Sequence, residues 1–322
     1  MTVWNSLERS KTLRLLRNKV VPAVLRKLPR AAWLPLLALS GCGNDFRLFH
    51  PVGQVAKAEW YSTLFVTGII LLIIIPTTVA TVLFAWRYRK SRNASFDPTF
   101  TYSLPLELAM WGVPLIIVVI LAISTYSSVF AVNPSDPGLL HGHGAAGAEP
   151  ALQVDVITTD WQWLFIYPQL KIATIDTLVV PQGRTVRFAL TSATVTNDFY
   201  IPQVAPMIDV MPGMRTQDAF RVNRTGDYEG FSADFSGAGF SWMQFSTRIV
   251  SPATFKSWVH ETQASPQHMN YAEFLKIAQP KINKSATPAY FSDADPDLFN
   301  KVITAVERGL VFPVAMAMGN GK

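Results

Sequence analysis

The segment SADFSGAGFSWM, residues 232–243, has the residue spacing of a metal-binding hairpin loop. Such a loop supplies soft ligands, thiolates and imidazoles, at fixed intervals. Here Ser232 and Ser236 stand at the thiolate positions and Phe240 at the imidazole position, while Met243 keeps a thioether. The only cysteine of the chain is Cys42, so a site that needs two thiolates cannot form within it. The question is whether this loop is a metal site without its ligands or an ordinary turn.

Two long apolar runs indicate that the loop belongs to a membrane protein. Residues Leu64–Trp86 (23) and Leu108–Val132 (25) contain no charged side chain. Each run exceeds the roughly 20 residues that cross a bilayer as a helix. We therefore predict transmembrane helices at 63–86 and 107–132.

The positive net charge is confined to the start of the chain. Residues 1–41 contribute +7 to the formal net charge of +6, and the remainder contributes −1. No basic stripe with interleaved aromatic residues occurs in that remainder, which argues against nucleic-acid binding.

The basic N-terminal region leads into a short apolar run and then Leu39-Ser40-Gly41-Cys42. This order is typical of a secretory signal, and its end resembles the bacterial lipobox. We predict a signal peptide at 1–41 and lipidation of Cys42; the alternative is a lone buried cysteine after a chance apolar run.

The distribution of charge around the apolar runs predicts the topology. Loop 87–106 begins with a basic cluster, whereas the linker 133–150 has no Lys or Arg. Positive charge marks the cytoplasmic side of a membrane protein. We therefore expect the loop in the cytoplasm, and the segment 42–62 and everything after residue 132 outside.

From residue 151 the sequence changes to short alternating or aromatic runs separated by turn signals, as in LQVDVIT, WQWLFIY and TVRFALT. Many short strands in about 100 residues predict a β-sandwich or small barrel. After Pro252 the pattern becomes helical. We predict a β domain at 151–250 and a small helical region at 251–322.

Two spans followed by an outer β domain with a long hairpin loop resemble subunit II of the haem–copper respiratory oxidases. The resemblance covers nearly the whole chain after Cys42, and it implies a cupredoxin-like Greek-key barrel. In the cytochrome c oxidase branch this loop holds two coppers. The resemblance maps Ser232 and Ser236 onto the bridging cysteines, Asp234 onto an acidic position, Phe240 and Asn197 onto the histidines, and Met243 onto the methionine.

The absence of thiolates and imidazoles from this loop resembles subunit II of the quinol-oxidising, cytochrome bo type branch, which has no copper relay. The runs DWQWLFIYP, NDFYIPQ, FSGAGFSWM and YFSDADPDLF resemble that branch. The resemblance implies a copper-free, non-catalytic subunit II of a proton-translocating ubiquinol oxidase. It would have no cofactor of its own, with haems and copper on subunit I. Its partners would be subunit I, the other subunits and membrane lipid, with quinol as the substrate of the complex and no cytochrome c. It would lie in the bacterial inner membrane with the β domain in the periplasm.

Three further residues have open roles. Glu107 opens the second span on its cytoplasmic side, where the resemblance implies a proton channel entrance; the alternative is an interfacial anchor. Trp161 and Trp163 lie where copper-bearing relatives have an electron-relay stretch, and packing is the alternative.

Two other functions stay open for the chain as a whole. One is a membrane lipoprotein whose cupredoxin-like domain binds a partner or assists copper assembly. The other is a cytochrome c oxidase subunit II, against which the absence of a second cysteine argues.

Overall fold

The computed structural model describes residues 49–89, 99–131, 150–282, 288–310 and 312. It contains two long helices, α1 (Gln54–Arg87) and α2 (Leu104–Ala131). Both are long and apolar enough to cross a membrane, and their apolar side chains are largely exposed in the isolated chain. Near the start of α1 and the end of α2 the hydroxyls of Ser62 and Ser128 lie 3.2 Å apart and join the two helices. The predicted pair of apolar helices is confirmed.

Helix α1 is longer than a bilayer span requires. Its 34 residues extend about 51 Å, against a hydrocarbon core of roughly 30 Å. The start of α1 is fixed to the β domain, because the backbone N–H groups of Val52 and Gly53 both donate to the carbonyl oxygen of Gln203, at 2.9 and 3.0 Å. Gly53 allows this contact, since a Cβ there would lie 2.3 Å from the Val204 oxygen.

The β domain consists of two stacked sheets. The six-stranded sheet has the order β11-β3-β2-β1-β5-β8, and the five-stranded sheet has the order β4-β10-β9-β6-β7. Strands β1 and β5, and β4 and β10, pair in parallel, while the other pairs are antiparallel. The strands are β1 Leu152–Thr159, β2 Gln162–Tyr167, β3 Ile172–Ile175, β4 Thr177–Pro181, β5 Thr185–Ser192, β6 Asn197–Ile201, β7 Ala205–Val210, β8 Thr216–Arg221, β9 Gly226–Ser232, β10 Gln244–Val250 and β11 Ala289–Phe291. This arrangement confirms the predicted cupredoxin-like fold.

Strand β2 is buried on both faces and separates two cores. Alternate side chains of a strand point to opposite sides of its sheet. Trp163, Phe165 and Tyr167 accordingly enter the core between the sheets, whereas Leu164 and Ile166 enter a second core on the outer face of the six-stranded sheet.

The C-terminal region covers the sheets and is not purely helical. It contains α3 (Pro252–Gln263), α4 (Tyr271–Ile277) and α5 (Leu298–Glu307), with α3 against the inter-sheet core and α4 and α5 over the second core. The Ser251 hydroxyl caps α3 by accepting the Thr254 N–H. Strand β11 lies between α4 and α5 in sequence and pairs with β3, so that β11 forms the edge of the six-stranded sheet. The predicted helical region is present, and it also contains β11, whose three residues carry too little periodicity to be recognised from the sequence.

Candidate functional site

The predicted loop closes one end of the sandwich, where β6 begins, β9 ends and β10 begins. Asn197 and Ser232, on adjacent strands, are both buried. The Ser232 hydroxyl lies 3.3 Å from Asn197 Oδ1 and 3.3 Å from the carbonyl oxygen of Asp234. It also accepts the backbone N–H of Asp198 at 3.3 Å. The Asn197 amide donates in turn to Thr158 Oγ1 and to the Val195 carbonyl. Polar groups thus satisfy one another at this position.

The second half of the loop is held by Met243 and Trp161. The Ser236 hydroxyl lies 3.8 Å from the sulfur of Met243, and Met243 is buried. The indole N–H of Trp161 donates to the Ser236 carbonyl at 3.0 Å. Gly237 adopts a φ of 106°, a conformation open to glycine, and this allows the chain to reverse directly after Ser236.

Phe240 lies at the start of a short 3₁₀ turn, Phe240–Trp242, and packs edge-on against the ring of Phe235, with 5.6 Å between ring centroids. Phe235 is 75% exposed, Trp242 is 46% exposed and Asp234 is exposed as well. The loop therefore presents an aromatic rim, formed by Phe235, Phe240 and Trp242, to its surroundings.

The residues of this loop do not fit a two-copper centre. Such a centre needs bridging thiolates and imidazoles, whereas the hydroxyls and the amide here are hard ligands already engaged in hydrogen bonds to protein groups. Within the described ranges no group of three or more His, Cys, Asp or Glu side chains is placed to hold a metal ion. The residues of this loop therefore supply no ligand set for a copper-based electron relay.

Trp161 and Trp163 are both buried. Trp163 lies in the inter-sheet core, 5.1 Å from the ring of Phe245, and its indole N–H points to the Met243 carbonyl at 3.5 Å. Trp161 has a φ of 68°, which is uncommon for a bulky residue. Both indoles therefore contact the backbone of the loop, which is the arrangement expected of packing residues.

Buried acids form a feature that the sequence patterns did not reveal. Asp176 directly follows β3, and its side-chain oxygen Oδ1 accepts the backbone N–H of Trp163 at 2.9 Å. Burial raises the pKa of Asp176 to about 7. Asp198 on β6 is the cross-strand partner of Asp209 on β7. Burial, then the hydrogen bond and charge of Asp209, raise the pKa of Asp198 to about 6.

Asp218 on β8 is the most enclosed of these acids, with an exposed fraction of 0%. The burial of Asp218 could have been inferred from the alternating pattern of the sequence TQDAFRV. Alternation places Asp218 on the same face as Phe220, a side chain of the inter-sheet core.

Two other predicted sites, Glu107 and Cys42, do not belong to the loop sequence. Glu107 is half-buried in the first turn of α2, and its N–H donates to the Ser103 carbonyl. Cys42, the signal peptide and the linker 133–149 lie outside the described residues, as do residues 90–98 of the loop between the helices.

Comparison with known proteins identifies this arrangement. Residues 165–250 match the model of the periplasmic domain of cytochrome c oxidase subunit II, and residues 263–308 match the COX aromatic-rich motif. The chain is 36% identical to cytochrome bo(3) ubiquinol oxidase subunit 2 of Pseudomonas putida, over 90% of this chain and 88% of that protein. It is 36% identical to ubiquinol oxidase subunit 2 of Acetobacter aceti, over 92% of each chain. Identity to the cytochrome bo(3) subunit 2 of Buchnera aphidicola subsp. Baizongia pistaciae is 38%, over 84% of this chain and 92% of that protein. The chain therefore belongs to the subunit 2 family of the ubiquinol oxidases, within the haem–copper oxidase superfamily.

Proposed function

We propose that this chain is the copper-free subunit II of a proton-translocating quinol oxidase that oxidises ubiquinol and reduces oxygen to water. One observation carries the proposal. At the loop where copper-bearing relatives would need thiolates and imidazoles, Asn197 binds Ser232, and Ser236 contacts Met243. A subunit without this relay must belong to a complex that receives its electrons by another route, and the names of the relatives indicate a quinol.

In this proposal the chain has a structural role. Haems and copper lie on subunit I, and this chain contributes two membrane helices and a rigid outer domain. The largely exposed apolar surface of α1 and α2 supports contact with lipid and with other subunits. The aromatic rim of the loop supports a second contact outside the membrane.

We place the chain in a bacterial inner membrane, anchored through lipid on Cys42, with the β domain in the periplasm. The charge asymmetry between residues 87–106 and 133–150 supports this orientation. Glu107 at the cytoplasmic start of α2 is proposed as an entrance for protons that subunit I takes up.

The decisive experiment is purification of the native complex through a tag on this chain. Haem and copper are then counted, and turnover is compared with ubiquinol and with reduced cytochrome c as donors. We expect the purified complex to contain haem and to turn over with ubiquinol but not with reduced cytochrome c. We also expect no copper beyond that assigned to subunit I.

Two results would contradict the proposal. Purification of the chain without a haem-bearing subunit would favour a free-standing lipoprotein. A copper absorption band from this subunit, together with turnover on cytochrome c, would favour a cytochrome c oxidase.

A further inference from the structure

The start of α1 closes an opening at the side of the β domain. Strand β8 ends one sheet and β7 ends the other, and these two end strands lie next to each other. Helix α1 packs against both strands. Val55 and Ala56 are buried there, and Val52 packs on the inter-sheet core. We call this junction of α1, β7 and β8 the seam.

Asp218 lies on β8 at the seam and faces the interior. Its cross-strand partner is Phe188, which belongs to the inter-sheet core. One carboxylate oxygen, Oδ1, accepts the N–H of Ala219 at 2.7 Å. The other, Oδ2, is buried and has no hydrogen-bond partner among the described residues. An ionised carboxylate in this position would leave a charge in an apolar core with a single donor, which is costly.

The charged neighbour of Asp218 is another acid. Glu59 follows Val55 and Ala56 by four and three residues, so it lies on the face of α1 that packs against the domain. Glu59 is half-buried. Burial raises the pKa of Asp218 to about 7, and the charge of Glu59 contributes to the rise. Burial is the main cause of the raised pKa of Tyr200 on β6, and the charge of Glu59 adds to it.

Charged groups on the other packed elements point away from Asp218. On β5, Arg187 is the cross-strand partner of Ala219 and therefore lies on the opposite face of the sheet. Arg221 on β8 shares that opposite face. Asp209 on β7 is paired with Asp198, and Lys57 on α1 is exposed. Within the described part of the chain, the titratable group whose charge acts on Asp218 across the seam is therefore an acid on α1, Glu59.

We propose that Asp218 is a proton-binding site, and that its proton exchanges through Glu59 with water at the outer membrane surface. Because the two carboxyl groups share no hydrogen bond, the transfer passes through water: the O–H bond of Asp218 breaks, an O–H bond forms on a water molecule, and that water gives one of its own protons to the Glu59 carboxylate. The negative charge moves from Glu59 to Asp218, and no electron is transferred. The two carboxyl groups are therefore linked by proton exchange, on the opposite side of the membrane from Glu107. This inference concerns the protonation of the chain itself and does not depend on quinol as the electron donor.

The test is an infrared titration of the assembled complex in membranes, compared with the complex that carries Asp218→Asn. The difference between the two spectra isolates the C=O stretch of protonated Asp218 from those of Asp176 and Asp198. We expect a protonated-carboxyl band near pH 6 that disappears as the pH rises through about 7, and rapid exchange of its proton in D₂O. In Glu59→Gln the same band should disappear at lower pH, because the neighbouring negative charge is gone.

Asp227→Asn serves as the control, because Asp227 is an exposed aspartate of the same domain; its spectrum should keep the Asp218 band. Three results would overturn the proposal: no band difference between wild type and Asp218→Asn, a band whose midpoint is the same in Glu59→Gln, or a proton that does not exchange over hours. If Asp218→Asn does not assemble, the midpoint shift in Glu59→Gln still decides. None of these readouts requires turnover, so they hold or fail separately from the proposed oxidase activity.

Discussion

The indole of Trp161 occupies the space that a side chain on Gly239 would need. A Cβ at Gly239 would lie 2.1 Å from the Cδ2 atom of Trp161, which is far inside van der Waals contact. Gly239 has a φ of −95°, so its backbone conformation is open to any residue. The glycine is therefore required for packing and not for backbone freedom.

Substitution of Gly239 by alanine should destabilise the outer domain. Trp161 is 2% exposed and its N–H is bound to Ser236, so the ring has little room to move. We expect a loss of roughly 1–3 kcal/mol in the free energy of unfolding, as for other overpacked cores. Denaturant unfolding of the purified chain, followed by tryptophan fluorescence, measures it. A substitution at the exposed neighbour Ala238 provides the control and should leave the free energy of unfolding unchanged. Equal stability of Gly239→Ala and wild type would contradict the packing role of Gly239.

A copper centre should be recoverable in the loop. Asn197 and Ser232 already lie in contact, as do Ser236 and Met243, so the backbone brings the ligand positions together. We expect the variant with Asn197→His, Ser232→Cys, Ser236→Cys and Phe240→His to bind copper and to absorb visible light through thiolate-to-copper charge transfer. Metal content and absorption after copper loading test this.

The matched control for that experiment carries the same two histidines with alanine at 232 and 236. After copper loading this control should show no thiolate-to-copper charge-transfer band. If the cysteine variant folds and also fails to bind copper, the loop does not retain the geometry of the metal site.

The stability of the outer domain should fall as the pH rises from about 4 to about 7. Burial raises the pKa of Asp176 to about 7, above its ordinary value of 3.8. The folded state therefore holds a proton that the unfolded state has already released in this range, and folding is less favourable at higher pH. Asp176→Asn removes the ionisation, and asparagine tolerates the φ of 54° found here. Near pH 8 the variant should be more stable than wild type by up to a few kcal/mol, with the difference vanishing near pH 4.

Thermal or denaturant unfolding at several pH values checks the Asp176 prediction. The exposed Asp227→Asn variant should show no such pH-dependent gain. A gain for Asp176→Asn that is the same at both ends of the pH range would show that ionisation is not its cause.

Glu107→Gln should lower the steady-state turnover of the assembled oxidase several-fold while leaving its haem content intact. The substitution removes the carboxylate at the start of α2 and keeps the shape of the side chain. Oxygen consumption per haem is the measurement, and Glu107→Asp, which keeps the charge, should retain more activity. Unchanged turnover in Glu107→Gln would indicate that the residue is only an interfacial anchor.

Phe235→Ala should weaken assembly without changing the stability of the chain itself. The ring is 75% exposed and lies in the aromatic rim, where a partner surface would bury it. We expect less haem-bearing subunit to co-purify with the variant, at unchanged unfolding of the isolated chain. Met207 is also an exposed apolar residue, at 54%, and lies on strand β7 outside the rim; Met207→Ala tests whether any exposed apolar side chain has the same effect.

The sequence predicted the fold class because its signals are local. The charge-free runs, the alternation in LQVDVIT and the aromatic WQWLFIY each indicate an element without knowledge of its partners. Strand β11 could not be predicted this way, since its three residues become a strand only through pairing with β3, more than 100 residues earlier.

The site was less predictable for the same reason. The spacing of Ser232, Ser236 and Met243 marks the loop, but the burial of Asp218 depends on how α1 covers β7 and β8. Glu59 precedes Asp218 by more than 150 residues, and nothing in the local pattern links the two. A pair of acids that packing brings together from distant elements is visible only in the tertiary structure.

Helix α1 runs without interruption from its contact with Gln203 to Arg87. A domain that contacts the start of its own membrane helix in this way is joined to that helix without an intervening flexible loop. Electron carriers that swing between an electron donor and an acceptor need a flexible tether at this point. In this chain the Gln203 carbonyl and the start of α1 take the place of such a tether, so the aromatic rim belongs to a domain that is attached directly to its helix.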